Sequence, residues 1–283
     1  MKLRLAHLLA ILAMLLFIPS GAIAQVSMLS KPPINTDKPH QKKQSKTKKS
    51  PLKTSETKAM PSWVKATSDS LEKSESDNKR TIVKQIAQHM VYIQGGSMAM
   101  PCSSGKTSIQ VKSFYMSSIE VTQEQWEAIM GENPSYFVDS NQPVENVSWS
   151  ECNEFIKRLN KLTGKKYRLP TIDEWTYAAR GGQKSRDYEY AGSHYLAEVA
   201  WYSDNSNGYP HQVGKLKSNE LGLSDLCGNV AEWCSDSAGQ SHAFVGGSFA
   251  DEAKECETTK SMSAQKFFDE ASATIGFRLI LTK

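Results

Sequence analysis

The side chains with chemical potential crowd into the C-terminal quarter of this 283-residue chain, in "SDLCGNVAEWCSD" (224–236) and "GGSFADEAKECE" (246–257). Ser248 is a candidate nucleophile, but no histidine is identifiable in the sequence as its base, so Ser-His chemistry is weakly supported. Cys256 is a candidate redox thiol. The six histidines, His7, His40, His89, His194, His211 and His242, form no close pair of the H-x-x-x-H kind. They therefore read as surface or satisfied core residues. Asp251, Glu252, Glu255 and Glu257 lie close in sequence and would favour a cationic or metal-bridged ligand over a neutral one.

These segments need a frame to position them. "SWSECNEFIKRLNKLTG" starts with Ser148 three residues before Glu151, a capping-box pattern, carries Cys152, Phe155, Ile156 and Leu159 at helical spacing, and stops at Gly164. Thr171 and Glu174 repeat the pattern ahead of Trp175, Ala178 and Ala179, and Thr122 opens a third helix that Gly131 closes. Short β-like runs, "HMVYIQGG", "IQVKSFYMSS", "FVGGSF" and "GFRLILTK", surround a long middle rich in Gly, Asn, Ser and Asp. The pattern predicts an α+β domain with much irregular structure, and loops on this scale are either functional or held by ions or disulfides.

The N-terminus has basic residues (Lys2, Arg4), an apolar run from Leu8 to Ile18 and the ending Ala22-Ile23-Ala24, which read as a cleavable signal peptide over 1–24. The run is too short to span a bilayer comfortably, and no cysteine near the cleavage point offers a lipid anchor. The expectation is a secreted or periplasmic protein with no transmembrane segment. Residues 25–85 are Lys-, Ser- and Thr-rich, with 14 Lys and Arg against 6 Asp and Glu, whereas 86–283 carry 18 against 24. The first stretch reads as a disordered basic linker, either a spacer or a tether to an anionic envelope surface. Nucleic acid is a poor partner for an acidic domain behind a basic tail that lacks interleaved aromatics. Residues 86–283 suffice for one folded domain. Five cysteines in an exported chain suggest two disulfides and a spare thiol.

"MVYIQGGSMAM", "EVTQEQWEAIMGENPSYF", "PVENVSWSECNEFIKRLN", "YRLPTIDEWTYAARGG", "ELGLSDLCGNVAEWCSD", "VGGSF" and "IGFRLIL" occur in an order and spacing that resemble the formylglycine-generating enzyme, or sulfatase-modifying factor, family. The resemblance covers about residues 88–283. It implies a C-type-lectin-like variant of the α+β class, rich in irregular loops with a few helices and short antiparallel strands. In catalytic members it implies a copper-dependent oxidase that converts a sulfatase cysteine to formylglycine with two cysteines and O₂.

Carried over residue by residue, the remnant pocket keeps Ser248 and places Cys256 on the second cysteine of the family's pattern. Asp251 stands on the first, Glu257 on an arginine, Ala231 on a tryptophan and Thr274 on an asparagine. A hard carboxylate cannot replace a soft thiolate for Cu(I), so the resemblance implies that copper and oxidase activity are lost. The alternative is an active formylglycine-generating or other redox enzyme using Cys256. The resemblance also implies calcium, held by Asp225, the carbonyls of Gly228 and Val230, and Glu232; the competing reading pairs Glu232 with a buried arginine such as Arg278. Cys234 and Cys256 lie in the two segments lining the former pocket and are the first candidates for a disulfide. The function expected is a pseudoenzyme, a binding or structural module of the bacterial envelope whose C-terminal pocket face takes a protein or glycan ligand.

Overall fold

The computed structural model describes residues 62–99, 108–238, 241–258, 261–263 and 270–282. The expected signal peptide, the first part of the linker, Cys102 and residues 264–269 lie outside them.

Helix α1 (Ser62–Gln88) corrects the expectation of a disordered stretch reaching residue 85. Its last turns bury Ile82 and Ile86, four residues apart on one face, beside Trp126 and Ile129. Two isoleucines at helical spacing are enough to dock a helix end, and a Lys- and Ser-rich composition averages them away. Strand β1 (Met90–Ile93) follows, then β2 (Gly96–Ala99) paired antiparallel with β3 (Ser108–Val111), and β4 (Phe114–Ser117). The single β-like run expected over 109–118 is thus two strands, broken at Lys112–Ser113. A Cβ at Gly95 would fall 2.5 Å from the Val111 oxygen, so the backbone passes there at glycine-only distance.

Helices α2 (Gln123–Met130), α3 (Trp149–Thr163) and α4 (Ile172–Ala179) begin at Thr122, Ser148 and Thr171, each with both halves of its capping box made. Gly131 and Gly164 end α2 and α3 in left-handed backbone, the conformation that relieves the last carbonyls of a helix. Helix α3 buries the four apolar residues expected of it. Strand β5 (Tyr167–Arg168) connects α3 to α4.

The rest is loop punctuated by short strands: β6 (Ala200–Trp201), β7 (Cys227–Gly228), β8 (Ala231–Ala238), β9 (Ser241–Val245), β10 (Ser261–Ser263), β11 (Ile275–Gly276) and β12 (Ile280–Leu281). One sheet runs β1-β4-β12-β5 and is antiparallel throughout. A second runs β10-β9-β8-β11, with β11 parallel to β8, and β6 pairs parallel with β7. Irregularity in β8 has a use: Ser235 donates to the Pro170 carbonyl at 2.8 Å, and Asp236 accepts from the Ile172 amide at 2.8 Å, so the strand holds the start of α4.

Buried side chains gather in two clusters. In one, Trp126 stacks on Phe155 with centroids 5.4 Å apart while Phe277 meets both edge-on. The other surrounds Trp175 and Tyr177 and contains Cys227, Cys234 and Cys256. No described helix is long and apolar enough to cross a membrane.

Candidate functional site

Strand β9 delivers the chain into Gly246 and Gly247, whose φ values of 98° and 72° are left-handed. A Cβ on Gly247 would stand 2.9 Å from the Glu255 oxygen and 3.0 Å from Cys256 Sγ, so the turn closes only on glycine. Ser248 is buried, and both its amide (2.8 Å) and its hydroxyl (2.6 Å) donate to Asp251 Oδ2. The Asp251 amide returns a bond to the Ser248 carbonyl at 3.1 Å. Asp251 is therefore the acceptor that locks the turn it belongs to, and Ser248 is committed to that acceptor rather than to a histidine base. His211 stacks on Trp201 at 3.9 Å and its Nε2 lies 2.9 Å from the Ser206 carbonyl.

The turn is bolted to the "GNV" loop. The Phe249 amide donates to the Asn229 carbonyl at 2.7 Å, and Ser206 Oγ donates to the Phe249 carbonyl at 2.8 Å. The acidic run is less bare than its sequence: Lys254 Nζ sits 2.9 Å from Glu252 and 3.9 Å from Glu255. Ala231 and Thr274, two further departures from the family's pattern, meet each other through a 2.9 Å backbone bond from the Ala231 amide to the Thr274 oxygen.

Cys256 ends a short 3-10 turn (Ala253–Cys256) and is fully buried. The expected Cys234–Cys256 disulfide is not formed; Cys227, Cys234 and Cys256 are reduced. Cys234 faces inward from β8 with its sulfur 3.9 Å from the Glu232 carbonyl, whereas Cys256 packs against Gly247 and beside the Cys227–Gly228 strand. Burial pushes the Cys227 thiol up to about 12 and raises Cys256 as well, the latter helped by Cys227, Asp251 and Glu255 nearby. Neither offers the low-pKa thiolate that nucleophilic or Cu(I) chemistry requires.

Below the turn lies a buried ionic knot. Arg278 Nε donates to Glu232 Oε2 at 2.6 Å and Nη2 to Oε1 at 2.5 Å, while Trp175 Nε1 donates to the same carboxylate at 2.7 Å. The guanidinium also reaches the Ser117, Ser224 and Asp225 carbonyls at 3.2, 3.0 and 3.3 Å. Glu120, which sequence reasoning missed, accepts from Asn229 Nδ2 (2.7 Å) and the Val230 amide (3.1 Å). A glutamate between apolar residues in "SSIEVTQ" was the available signal. Burial raises the Glu120 carboxyl well above its usual range, and Asp225 and Glu232 add to the effect. Burial lifts Asp225 to about 6 against the pull of its bond from the Gly214 amide (2.6 Å).

Of the four positions expected to hold calcium, Glu232 thus has both oxygens bonded to Arg278, and Asp225 keeps one oxygen, Oδ1, buried without a partner. Ca²⁺ takes six to eight oxygens, and of the two carboxylates in this set only Asp225 Oδ1 is left open to one. Among the described residues no group of three or more His, Cys, Asp or Glu is placed to hold a metal.

An α+β frame of short strands and long tied loops, carrying this turn over a buried Arg-carboxylate knot, is a C-type-lectin-like fold of the sulfatase-modifying type. A solved structure, Treponema denticola variable protein 1, superposes with a TM-score of 0.62 at 27% identity, over 69% of this chain and 95% of that one. The sulfatase-modifying factor enzyme 1-like domain matches residues 75–283, and the chain belongs to that family. Relatives include the chaperone protein LppX of Paenibacillus barcinonensis, 34% identical over 200 residues, covering 53% of this chain and 71% of that protein. The formylglycine-generating enzyme of Streptomyces coelicolor is 35% identical over 109 residues, 34% of this chain and 32% of the enzyme. The inactive Cα-formylglycine-generating enzyme 2 of Bos taurus is 33% identical over 101 residues, 32% of each chain. The matches thus span about a third of the length of these last two relatives.

Proposed function

We propose that this chain is an exported sulfatase-modifying-factor-like domain without oxidase activity, serving as a binding or structural module in the bacterial envelope. The observation that carries the reading is the Ser248–Asp251 lock. The side chain standing where catalytic relatives use a cysteine is hydrogen-bonded into its own turn, and the remaining cysteine is a buried, protonated thiol. Relatives named an inactive formylglycine-generating enzyme and a chaperone protein support a non-catalytic use of the same frame. A ligand would meet an outer face bearing Tyr136 and Val138, 74% and 80% exposed. Their neighbour Phe137 packs edge-on against Phe249 of the turn at 5.5 Å. Exposed aromatic and apolar side chains on a rigid loop suit a protein or glycan partner.

The test is to incubate the purified chain with copper, reductant, oxygen and a peptide carrying C-x-P-x-R, and to look for the aldehyde by mass spectrometry. No aldehyde is expected. Turnover that disappears in Cys256→Ser would overturn the reading and restore an oxidase.

A further inference from the structure

Beyond α4 the chain folds a cationic hollow that has no residue in common with the turn at Ser248. The 3-10 turn Gly182–Lys184 and the loop after it carry Lys184 and Arg186, and the loop before Asn219 carries Lys217. These three residues, with Tyr188, Gly192 and Ser218, line a cavity of about 380 Å³, within the size range of small-molecule sites. Residues 86–283 are acidic as a whole, with 18 Lys and Arg against 24 Asp and Glu, so three cations around one hollow run against the charge of the domain. We propose that this cavity binds a phosphorylated sugar, its phosphate held by Lys184, Arg186 and Lys217.

The walls of the cavity are fixed by backbone. Gly192 approaches Ser218 and Asn219 so closely that a Cβ would stand 2.8 Å from the Asn219 Cα, and its φ of 99° is left-handed. Asn219 is buried; its Nδ2 donates to the Ala178 and Ala179 carbonyls at 2.8 and 3.2 Å, and its Oδ1 accepts the Leu221 and Leu223 amides at 3.0 and 3.1 Å. The loop bearing Lys217 is thereby tied to the end of α4, just ahead of Lys184 and Arg186.

Glu220 is the one carboxylate in the lining, and it accepts the Arg186 amide at 3.1 Å. Among the described residues neither the Lys184 ammonium nor the Arg186 guanidinium is in an ion pair. Lys217 Nζ lies 3.1 Å from Glu198, but both side chains are exposed, and such a pair is weak enough for a dianion to displace. The amide of buried Gly192, and the amide and hydroxyl of Ser218, donate to nothing among the described residues. A buried N–H without a partner is rare in a folded chain, and beside three cations an anion satisfies it. Three cations on two loops, with spare donors between them, suit the several oxygens of a tetrahedral phosphate better than a planar carboxylate, for which a single Arg fork suffices. The cavity is larger than a phosphate. The partly buried Tyr188 ring, with His194 edge-on at 5.0 Å, gives the sugar an apolar wall.

The site lies outside both the Ser248–Asp251 turn and the Tyr136–Val138 face, so it stands or falls independently of the oxidase assay. The full chain is titrated by calorimetry with glucose 1-phosphate, inorganic phosphate, glucose and glucuronate at about pH 7.5, where a phosphomonoester is close to doubly charged. Glucose 1-phosphate should bind one to one, inorganic phosphate more weakly, and glucose and glucuronate at least about tenfold more weakly. Arg186→Ala and Lys217→Ala should each weaken glucose 1-phosphate about tenfold, while Lys157→Ala, on α3, should leave it unchanged. All three side chains are exposed, and an unchanged urea midpoint checks that the variants fold; should one fail, Lys184→Ala takes its place. Absence of saturable binding by the sugar phosphate would overturn the proposal, as would inorganic phosphate or glucuronate binding as tightly. Binding that survives both cavity variants would belong to the lysine-rich residues 25–61 and would overturn it too.

Discussion

Replacing Arg278 by Met removes the cation of the knot and leaves its neighbours in place. Glu232, fully buried, would keep only the Trp175 indole as a donor, and the Ser117, Ser224 and Asp225 carbonyls would lose their guanidinium bonds. Taking one partner from a buried ion pair costs about 3–5 kcal/mol, because the survivor is left charged out of water. Met matches the volume of the Arg stem, so little of that is cavity. Against a domain stability of about 5–15 kcal/mol the loss is large. With a urea slope of about 2 kcal/mol/M, it moves the midpoint down by about 2 M. Glu232→Gln should cost less, since Glu120 and Asp225 remain near Arg278 to balance it. The Arg278→Met deficit should shrink at acidic pH, where the uncompensated carboxylates take up protons. Urea unfolding followed by tryptophan fluorescence at pH 5 and 7.5, with and without chelator, measures all of this. A loss under about 1 kcal/mol, or a wild-type midpoint that falls on chelation, would refute the claim that Arg278 rather than calcium balances this site.

Three other outcomes are expected. Asp251→Ala should cost about 1–3 kcal/mol in urea unfolding, because the Ser248 amide and hydroxyl lose their common acceptor, while Asp251→Asn should cost less. Ile82→Ala should cost about 2–4 kcal/mol if the end of α1 belongs to the core, and no loss would show that the helix is not docked. Burial raises the Glu145 carboxyl to about 7, above its unfolded value near 4.5, so the native state holds the extra proton between those values. Stability contributed by this group is therefore present below about pH 4.5 and lost as pH rises towards 7. Glu145→Gln, which can still accept from the Phe137 amide, should flatten the urea midpoint over that window.

What could be read in advance divides by the range of the interaction. Capping boxes, glycine stops and the apolar face of α3 are written within a few residues, and Thr122, Ser148, Thr171, Gly131 and Gly164 do in space what their spacing announces. The resemblance placed Ser248, Asp251 and Cys256 on one turn, but a change of residue type at Asp251 says only what it cannot do. That it holds Ser248 is a matter of two hydrogen bonds made across a turn. Glu232 had two readings that differ only in which cation balances it. The choice rests on Arg278, 46 positions away, and on Trp175, 57 positions away.

The cysteines show the same limit most sharply. Cys234 and Cys256 lie in segments that line one former pocket, yet residues on a strand alternate between faces, and a pocket has more than one wall. In space Cys234 lies under the Glu232 carbonyl, while Cys256 packs against Gly247, and Cys227 accepts the Ala191 amide. Cys256 can sit there because Gly246 and Gly247, both with positive φ, let the 253–256 turn close against Gly247. A Cβ at Gly247 would stand 2.9 Å from the Glu255 oxygen and 3.0 Å from the Cys256 sulfur. The residue that seats Cys256 is therefore one with no side chain, and Gly247→Ala should cost about 1–3 kcal/mol in urea unfolding, because the left-handed backbone and the close approach of Glu255 and Cys256 both resist a Cβ; an unchanged midpoint would show that the turn is not so tightly closed.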